Sequence, residues 1–187
     1  MNADIIKAIE VLKAGGLILY PTDTIWGIGC DATNEQAVEK VFRLKGRDAG
    51  KSLIVLLDSE NKLESYIKEV PSLAYDLIEY TEKPLTIIYS GAKNLAANVI
   101  HEDGSVGIRI PRHPFCQQLI QRFRKPIVST SANISGEKSP AHFSEISEKI
   151  IEGVDYVVSI DQNDDTPKIP STIMKLEADG RFVFIRK

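Results

Sequence analysis

The chain of 187 residues has few of the features that mark metal-binding or secreted proteins. Its two cysteines, Cys30 and Cys116, lie far apart, and neither belongs to a CxxC pair. The three histidines are equally scattered, so the spacing typical of a metal site is missing. We therefore expect no metal held by protein side chains, and two buried free thiols in a reducing compartment.

Long hydrophobic runs and a strong charge of one sign are missing too. No stretch of about 18 apolar residues occurs, and the N-terminus carries Asp4 and opens an amphipathic helix instead of a signal peptide. We therefore expect no membrane segment and a cytoplasmic protein. The net charge of −3 gives no global basic field of the kind that attracts nucleic acid. The length fits one domain covering residues 1–187.

Helical and strand patterns alternate along the chain, and a C-terminal hairpin is predicted around Ala178-Asp179-Gly180. This combination is typical of an α/β fold with a mixed, twisted sheet and helices packed on it, whose strand order cannot be derived from the pattern. The polar tract Ser159–Lys168 fits a solvated loop, with a lid as the alternative. One helix is predicted at Ile5–Leu12, and a second follows Asn34 as its N-cap. Further helices are predicted at Lys62–Ile67, Ser72–Tyr80, Pro114–Arg124 and Phe143–Ile151. Strands are predicted at Gly16–Tyr20, Ile25–Cys30, Leu53–Leu57, Leu85–Tyr89, Val106–Ile110, Ile127–Val128, Asp155–Val158, Ser171–Leu176 and Arg181–Ile185.

The segment Pro21–Cys30, with the sequence PTDTIWGIGC, departs most from ordinary strand patterning. Two hydroxyls, a carboxylate and two glycines follow a buried strand within a few residues. Small polar groups beside glycines suit a small polar ligand, because glycine lets the backbone approach closely. A plain turn with Trp26 in the core explains the pattern equally well.

Two further clusters carry groups that bind anions. Lys45–Lys51 has three cations and two glycines after a helix, which suits a polyphosphate, although cations at a helix C-terminus also favour the helix dipole. No Walker sequence is present. Ser129–Gly136 places four hydroxyls and an amide after a buried strand, either as a ligand-binding array or as a turn that caps itself. No GxSxG elbow surrounds these serines, which argues against a serine hydrolase.

Arg109 lies in the strand pattern Ser105–Pro111, on the face opposite to Val106 and Ile108. Such an arginine is either a solvated outer residue or an anion clamp in a cleft, and the periodicity fits both.

Together these segments resemble the YrdC-like threonylcarbamoyl-AMP synthase family, in the form without an extra C-terminal domain. The resemblance rests on YPTDTIWGIGCDA, LKGRDAGKSLIVLL, PLTIIY, SVGIRIPRHP, PIVSTSANISGEKSP and PSTI, in the family's order and over nearly the whole chain. It implies a concave, positively charged cavity on a twisted α/β sheet. It also implies synthesis of threonylcarbamoyl-AMP and pyrophosphate from ATP, L-threonine and bicarbonate or CO2, with Mg2+ accompanying ATP. A separate tRNA threonylcarbamoyl transferase would use the adenylate to modify position 37 of tRNA.

The resemblance also assigns residues, in two groups, and leaves the catalytic role unassigned. Threonine contacts would be Thr24, Arg109, Ser129 and Ser171. ATP contacts would be Arg47, Lys51, Ser105, Ser131, Ser139 and Arg186. Lys45, Arg47 and Asn133 are the candidates for a catalytic role, although the chemistry demands no covalent protein nucleophile.

Two positions depart from the family's pattern, and two alternatives stay open. Leu56 stands where some members have a threonine-contacting histidine, and Thr81-Glu82-Lys83 replaces a common Trp-Pro-Gly. One alternative is a module that binds tRNA or double-stranded RNA without synthase activity. The other is the carbamoyl-adenylate chemistry of hydrogenase-maturation proteins, which also need acylphosphatase and zinc-finger segments that do not occur here.

Overall fold

The computed structural model describes residues 1–46 and 53–187, and these residues form one mixed sheet with helices on both faces. The helices are α1 (Asn2–Lys13), α2 (Glu35–Lys45), α3 (Leu63–Tyr66), α4 (Leu73–Tyr80), α5 (Pro114–Phe123) and α6 (Glu148–Gly153). The strands are β1 (Ile18–Tyr20), β2 (Gly27–Gly29), β3 (Ile54–Leu56), β4 (Leu85–Tyr89), β5 (Val106–Arg109), β6 (Ile127–Ser131), β7 (Tyr156–Val157), β8 (Thr172–Leu176) and β9 (Phe182–Arg186). The predicted α/β class is confirmed.

The strand order of the described sheet is β7-β1-β2-β6-β3-β5-β4-β8-β9. In the described sheet three neighbouring pairs are parallel (β1 with β7, β3 with β5, β4 with β8), and the other five are antiparallel. Strands that are distant in sequence therefore become neighbours, and β5 and β6 both flank β3. This order brings the predicted Arg109 and Ser129 clusters to one region of the sheet.

Local sequence signals account for where several elements begin and end. The Asn34 side chain accepts hydrogen bonds from the backbone N–H groups of Gln36 and Ala37, so it caps α2 as predicted. Gly46 ends α2 in the left-handed conformation, with φ 58°. At the other end of the chain, Gly180 (φ 84°) lies in the turn of the β8–β9 hairpin, which the Ala178–Gly180 motif predicted.

The two faces of the sheet are packed differently. On one face, Leu19, Ile28, Val55 and other strand residues are covered by α2, α3, α4 and α6, and they form the larger hydrophobic core. On the other face, α1 and α5 cover a smaller core. Its strand residues are Ile18, Tyr20, Leu56 and Ile127, which we call the covered part of this face.

Several predicted boundaries are corrected by tertiary packing. β2 is three residues long instead of spanning Ile25–Cys30, because Ile25 and Trp26 belong to the connecting loop. The predicted Lys62–Ile67 helix is a 3-10 turn at Glu60–Lys62 followed by α3. The predicted Phe143–Ile151 helix is likewise split into a 3-10 turn and α6. β6 is longer than predicted and includes the first three hydroxyl residues of the serine-rich segment.

The helices of the described ranges lack the length and hydrophobicity that a bilayer crossing requires. The Ser159–Lys168 tract contains neither helix nor strand, as expected of a loop.

Candidate functional site

A cavity of about 250 Å3 lies on the sheet face that carries the smaller core, beyond the reach of α1 and α5. We call this region the open part of the face. Strand register explains its composition, because cross-strand partners project to the same side of a sheet. Ser129 pairs with Ile54, and Arg109 pairs with Thr86, which pairs in turn with Ile173. The cavity is lined by Thr24, Ile25, Trp26, Gly27, Ile54, Arg109, Ser129, Thr130, Ser131, Ser139, Pro170, Ser171, Ile173 and Arg186.

The glycines of β2 make room for this site. A Cβ built on Gly27 would lie 3.1 Å from the Ser129 hydroxyl, and one on Gly29 would lie 2.7 Å from the Tyr20 ring. Two side chains from neighbouring strands therefore occupy the space above β2. Glycine at these positions allows the backbone and its neighbours to approach closely, as the sequence indicated.

Arg109 is buried, with 3% of its side chain exposed, so the solvated-face interpretation is wrong. Its Nη1 donates to Asp23 Oδ1 at 2.8 Å and to Thr24 Oγ1 at 3.0 Å. The Nε atom is also buried, and no described residue accepts a hydrogen bond from it. The guanidinium is thus held at one nitrogen and retains donors on its remaining edge.

The hydroxyl of Thr24 is part of a hydrogen-bond chain with a single direction. Thr22 Oγ1 donates to the Ile25 carbonyl at 2.8 Å, and it lies 2.9 Å from Thr24 Oγ1. Since the Thr22 proton is used, Thr24 is the donor of that contact and the acceptor of the Arg109 bond. Thr24 is therefore fixed on the cavity wall with one lone pair left for a ligand's donor.

Ser171 and Arg186 also line the cavity. The Ser171 hydroxyl lies 2.8 Å from Thr86 Oγ1, and its carbonyl accepts two hydrogen bonds from the Arg186 guanidinium at 3.0 and 2.8 Å. Burial, with the nearby positive charge of Arg109 as a second cause, lowers the pKa of Arg186. Two cations facing one cavity favour an anionic ligand, since an anion between them relieves their repulsion.

Ser129, Ser131 and Ser139 complete the lining from β6 and the loop after it. The turn interpretation of Ser129–Gly136 is wrong for its first three residues, which are paired strand residues. Ser129 and Ser131 alternate with Thr130 along β6, so both project to the open part of the face.

Lys45 and Asn133, two of the candidates for a catalytic role, lie beside the cavity and are not among its lining residues. Lys45 is 1% exposed, and its ammonium donates to the carbonyls of Ser131 and Asn133. The Asn133 amide donates to the carbonyls of Ile134 and Glu137, both at 2.9 Å. These contacts indicate that the pair shapes the turn after β6.

Other predicted residues lie elsewhere. Ser105 immediately precedes β5, at the end opposite to Arg109, and its hydroxyl donates to Asp103 at 2.6 Å. The cavity therefore does not bring it together with the other ATP-contact candidates. Arg47 and Lys51 lie outside the described residues. Leu56 pairs with Arg109 in register but belongs to the dry core under α1 and α5, so it makes no part of the lining.

Among the described residues, the cavity lining contains neither a cysteine nor a cluster of metal-ligating side chains. Cys30 and Cys116 are buried free cysteines, as predicted, and burial raises the pKa of both thiols. In residues 1–46 and 53–187, no three His, Cys, Asp or Glu side chains come together as a metal site requires. The donors of the cavity lining are hydroxyls and guanidinium groups, which do not suit Mg2+. A magnesium ion would have to be held by the substrate's phosphates.

Sequence reasoning missed several components of the site. The Asp23–Arg109 ion pair joins residues that are 86 positions apart, so no spacing rule could reveal it. Trp26, Ile54, Pro170 and Ile173 line the cavity but read as ordinary apolar core in the sequence. The available sequence signal for this ion pair was Asp23 in the PTDT segment, because a carboxylate between two buried threonines needs a partner.

The fold and the cavity define a class: a mixed α/β protein with a cavity, lined by hydroxyl groups and two arginines, on an uncovered part of its sheet. Comparison with known proteins gives the family. The family model Sua5/YciO/YrdC, described as "Telomere recombination", matches residues 10–187, and the chain belongs to that family.

The chain is also similar to individual proteins of this family. The chain is 34% identical over 175 residues to a threonylcarbamoyl-AMP synthase of Pseudoalteromonas translucida, covering 92% of each protein. It is 36% identical over 186 residues to a putative threonylcarbamoyl-AMP synthase of Methanocaldococcus jannaschii, covering 97% of this chain and 86% of the relative. The crystal structure of Pyrococcus abyssi Sua5 complexed with L-threonine matches with a TM-score of 0.85 and 29% identity. That match covers 97% of this chain, which spans about half (53%) of the Pyrococcus protein.

Proposed function

We infer that this chain is a threonylcarbamoyl-AMP synthase, which converts ATP, L-threonine and bicarbonate or CO2 into threonylcarbamoyl-AMP and pyrophosphate. One observation carries the inference. A single cavity brings together the predicted threonine contacts Thr24, Arg109, Ser129 and Ser171 and three of the predicted ATP contacts, Ser131, Ser139 and Arg186. The relatives that match nearly the whole chain and bear this name support it.

The cavity supplies positioning and charge for this reaction. The amine of threonine captures CO2 as a carbamate, whose oxygen then attacks the α-phosphorus of ATP, and pyrophosphate leaves. Two anions must approach each other, and Arg109 and Arg186, which both line the cavity, offset their repulsion. The threonine carboxylate binds at Arg109, and the phosphates lie towards Ser131, Ser139 and Arg186.

No covalent protein intermediate is needed. Both described cysteines are buried away from the cavity with raised pKa values, so neither supplies a thiolate there. Catalysis then depends on orientation and on electrostatic stabilisation of the developing charge. We propose that Mg2+ enters with ATP and that Arg47 and Lys51 contact the triphosphate.

The product and its chemistry imply a partner. A mixed carbamic–phosphoric anhydride is a reactive acyl donor, so a transferase must take it up. We propose that this transferase modifies tRNA at position 37 and that the protein works in the cytoplasm. Direct binding of tRNA is a further proposal, which salt-dependent binding of tRNA in the absence of substrates would support.

The test is an assay of pyrophosphate release with mass-spectrometric detection of the adenylate. We expect release to require threonine and bicarbonate together. Arg109→Ala removes the charge-assisted contact with the carboxylate and should weaken threonine binding by on the order of 2–5 kcal/mol. Arg122→Ala, a change on the exposed side of α5, is the matched control and should behave as wild type. Equal release with ATP alone would contradict the proposed function.

A further inference from the structure

We propose that Asp23 is a positioning residue for threonine: it holds Nη1 of Arg109, so that the Nη2–Nε edge of the guanidinium receives the substrate carboxylate. The proposal rests on the proposed function, and it gives a role to a carboxylate that neither the motifs nor the relatives' names assign.

The guanidinium of Arg109 has donors that its contacts with Asp23 and Thr24 do not use. Nη1 carries two hydrogens, and both have acceptors, Asp23 Oδ1 at 2.8 Å and Thr24 Oγ1 at 3.0 Å. The hydrogen bonds that Arg109 makes to described residues come from Nη1, and Nε is fully buried without an acceptor among those residues. A buried donor without a partner is destabilising, and a ligand acceptor would remove that penalty. The edge with unused donors is therefore Nη2–Nε, and its geometry suits a bidentate carboxylate.

The carboxylate of Asp23 is itself held in place by contacts on both of its oxygens. Its Oδ2 accepts the backbone N–H of Arg112 at 3.1 Å, while Oδ1 receives Arg109. The Arg112 guanidinium is anchored in turn by the carbonyls of Ile78, Thr81 and Glu82 at the end of α4. Asp23 is 14% exposed, so its ion pair is largely shielded from water. The carboxylate cannot rotate without breaking contacts on both sides, and it therefore fixes the plane of the guanidinium.

A positioning role and a charge-balancing role of Asp23 predict different effects on threonine binding. A carboxylate 2.8 Å from Arg109 partly cancels the positive field that attracts the substrate. If Asp23 only balanced charge, its removal would strengthen threonine binding. If it orients the guanidinium, its removal weakens binding because the fork no longer faces the carboxylate. The two roles predict opposite signs.

The experiment measures the KM for threonine and for ATP in wild type, Asp23→Ala and Asp23→Asn. We expect Asp23→Ala to raise the KM for threonine by about 10-fold or more, since misorientation of a binding group is costly. The KM for ATP should stay within about 2-fold. Asp23→Asn keeps an acceptor at the same place and should raise the KM for threonine by a smaller factor, about 3-fold. In an Arg109→Ala background, Asp23→Ala should have no further effect on threonine binding.

Asp31→Asn is the matched control. Asp31 is also a buried aspartate in an ion pair, with Lys125 at 2.7 Å, but it lies outside the cavity lining. Its substitution should lower thermal stability and leave the KM for threonine unchanged. A lowered or unchanged threonine KM in folded Asp23→Asn would overturn the proposal. Failure of wild type to bind threonine by calorimetry would instead refute the proposed function, so the two failures are distinguishable.

Discussion

The covered part and the open part of one sheet face share strands β3 and β6 but serve different purposes. Leu56 and Arg109 are cross-strand partners, and yet Leu56 is sealed under α1 and α5 while Arg109 faces the cavity. Neighbouring positions on one surface thus contribute to stability or to binding according to whether a helix covers them. Substitutions in the covered part should consequently reduce stability, and substitutions in the open part should reduce ligand binding.

The largest effect should come from the covered part. Phe115→Ala removes a fully buried ring from the core between α5 and the sheet and should cost about 3–5 kcal/mol of unfolding free energy. Urea denaturation measures the loss, and the KM for threonine of the folded fraction should stay near wild type.

The control for this change is Phe184→Ala on the edge strand β9, where the ring is 43% exposed. We expect a loss of about 1 kcal/mol or less there, because little apolar surface is removed from a packed core. Equal losses at the two positions would mean that α5 does not seal the covered part.

A smaller effect should arise where the two parts meet, at the glycines of β2. Gly29→Ala places a Cβ 2.7 Å from the Tyr20 ring and 2.8 Å from the Val128 carbonyl, and this overpacking should cost about 1–3 kcal/mol of stability. The closest contact of a Cβ in Gly27→Ala is the Ser129 hydroxyl at 3.1 Å, which can rotate away, and the Tyr20 ring lies at an ordinary 3.5 Å.

The pair of glycine variants therefore sharpens the comparison. Gly27→Ala should change thermal stability less than Gly29→Ala but should raise the KM for threonine, since Ser129 is displaced from the cavity wall. A Gly27→Ala protein with wild-type threonine kinetics would argue that Ser129 makes no contact with the substrate.

The smallest effect should come from a single hydroxyl in the open part. Ser131→Ala removes one neutral hydrogen-bonding group and should weaken ATP binding by about 0.5–1.5 kcal/mol, or roughly 2- to 10-fold. Ser135→Ala, in the turn beyond the cavity lining, is the control and should leave ATP binding unchanged. Calorimetry with ATP tests both, and identical affinities in the two variants would place the phosphates elsewhere.

The sequence by itself determined the α/β class, most of the helices and strands, and the polar segments that contribute Thr24, Arg109, Ser129 and Ser131 to the cavity lining. These features depend on local physics: hydrophobic period, the Asn34 cap, the Gly180 turn, and polar groups that no strand or helix pattern explains. The resemblance to a family added roles to those groups.

Only the tertiary structure decided how the groups are used. The order of the strands brings Asp23 and Thr24 to Arg109, and Ser171 to Thr86, across 85 or 86 positions of sequence that no local pattern records. It also decided that Lys45 contacts the turn after β6 and that Ser105 lies just before β5, at the end far from Arg109. The physical reason is that register and helix cover are set by the packing of the whole chain, whereas local pattern reports only which residues avoid water.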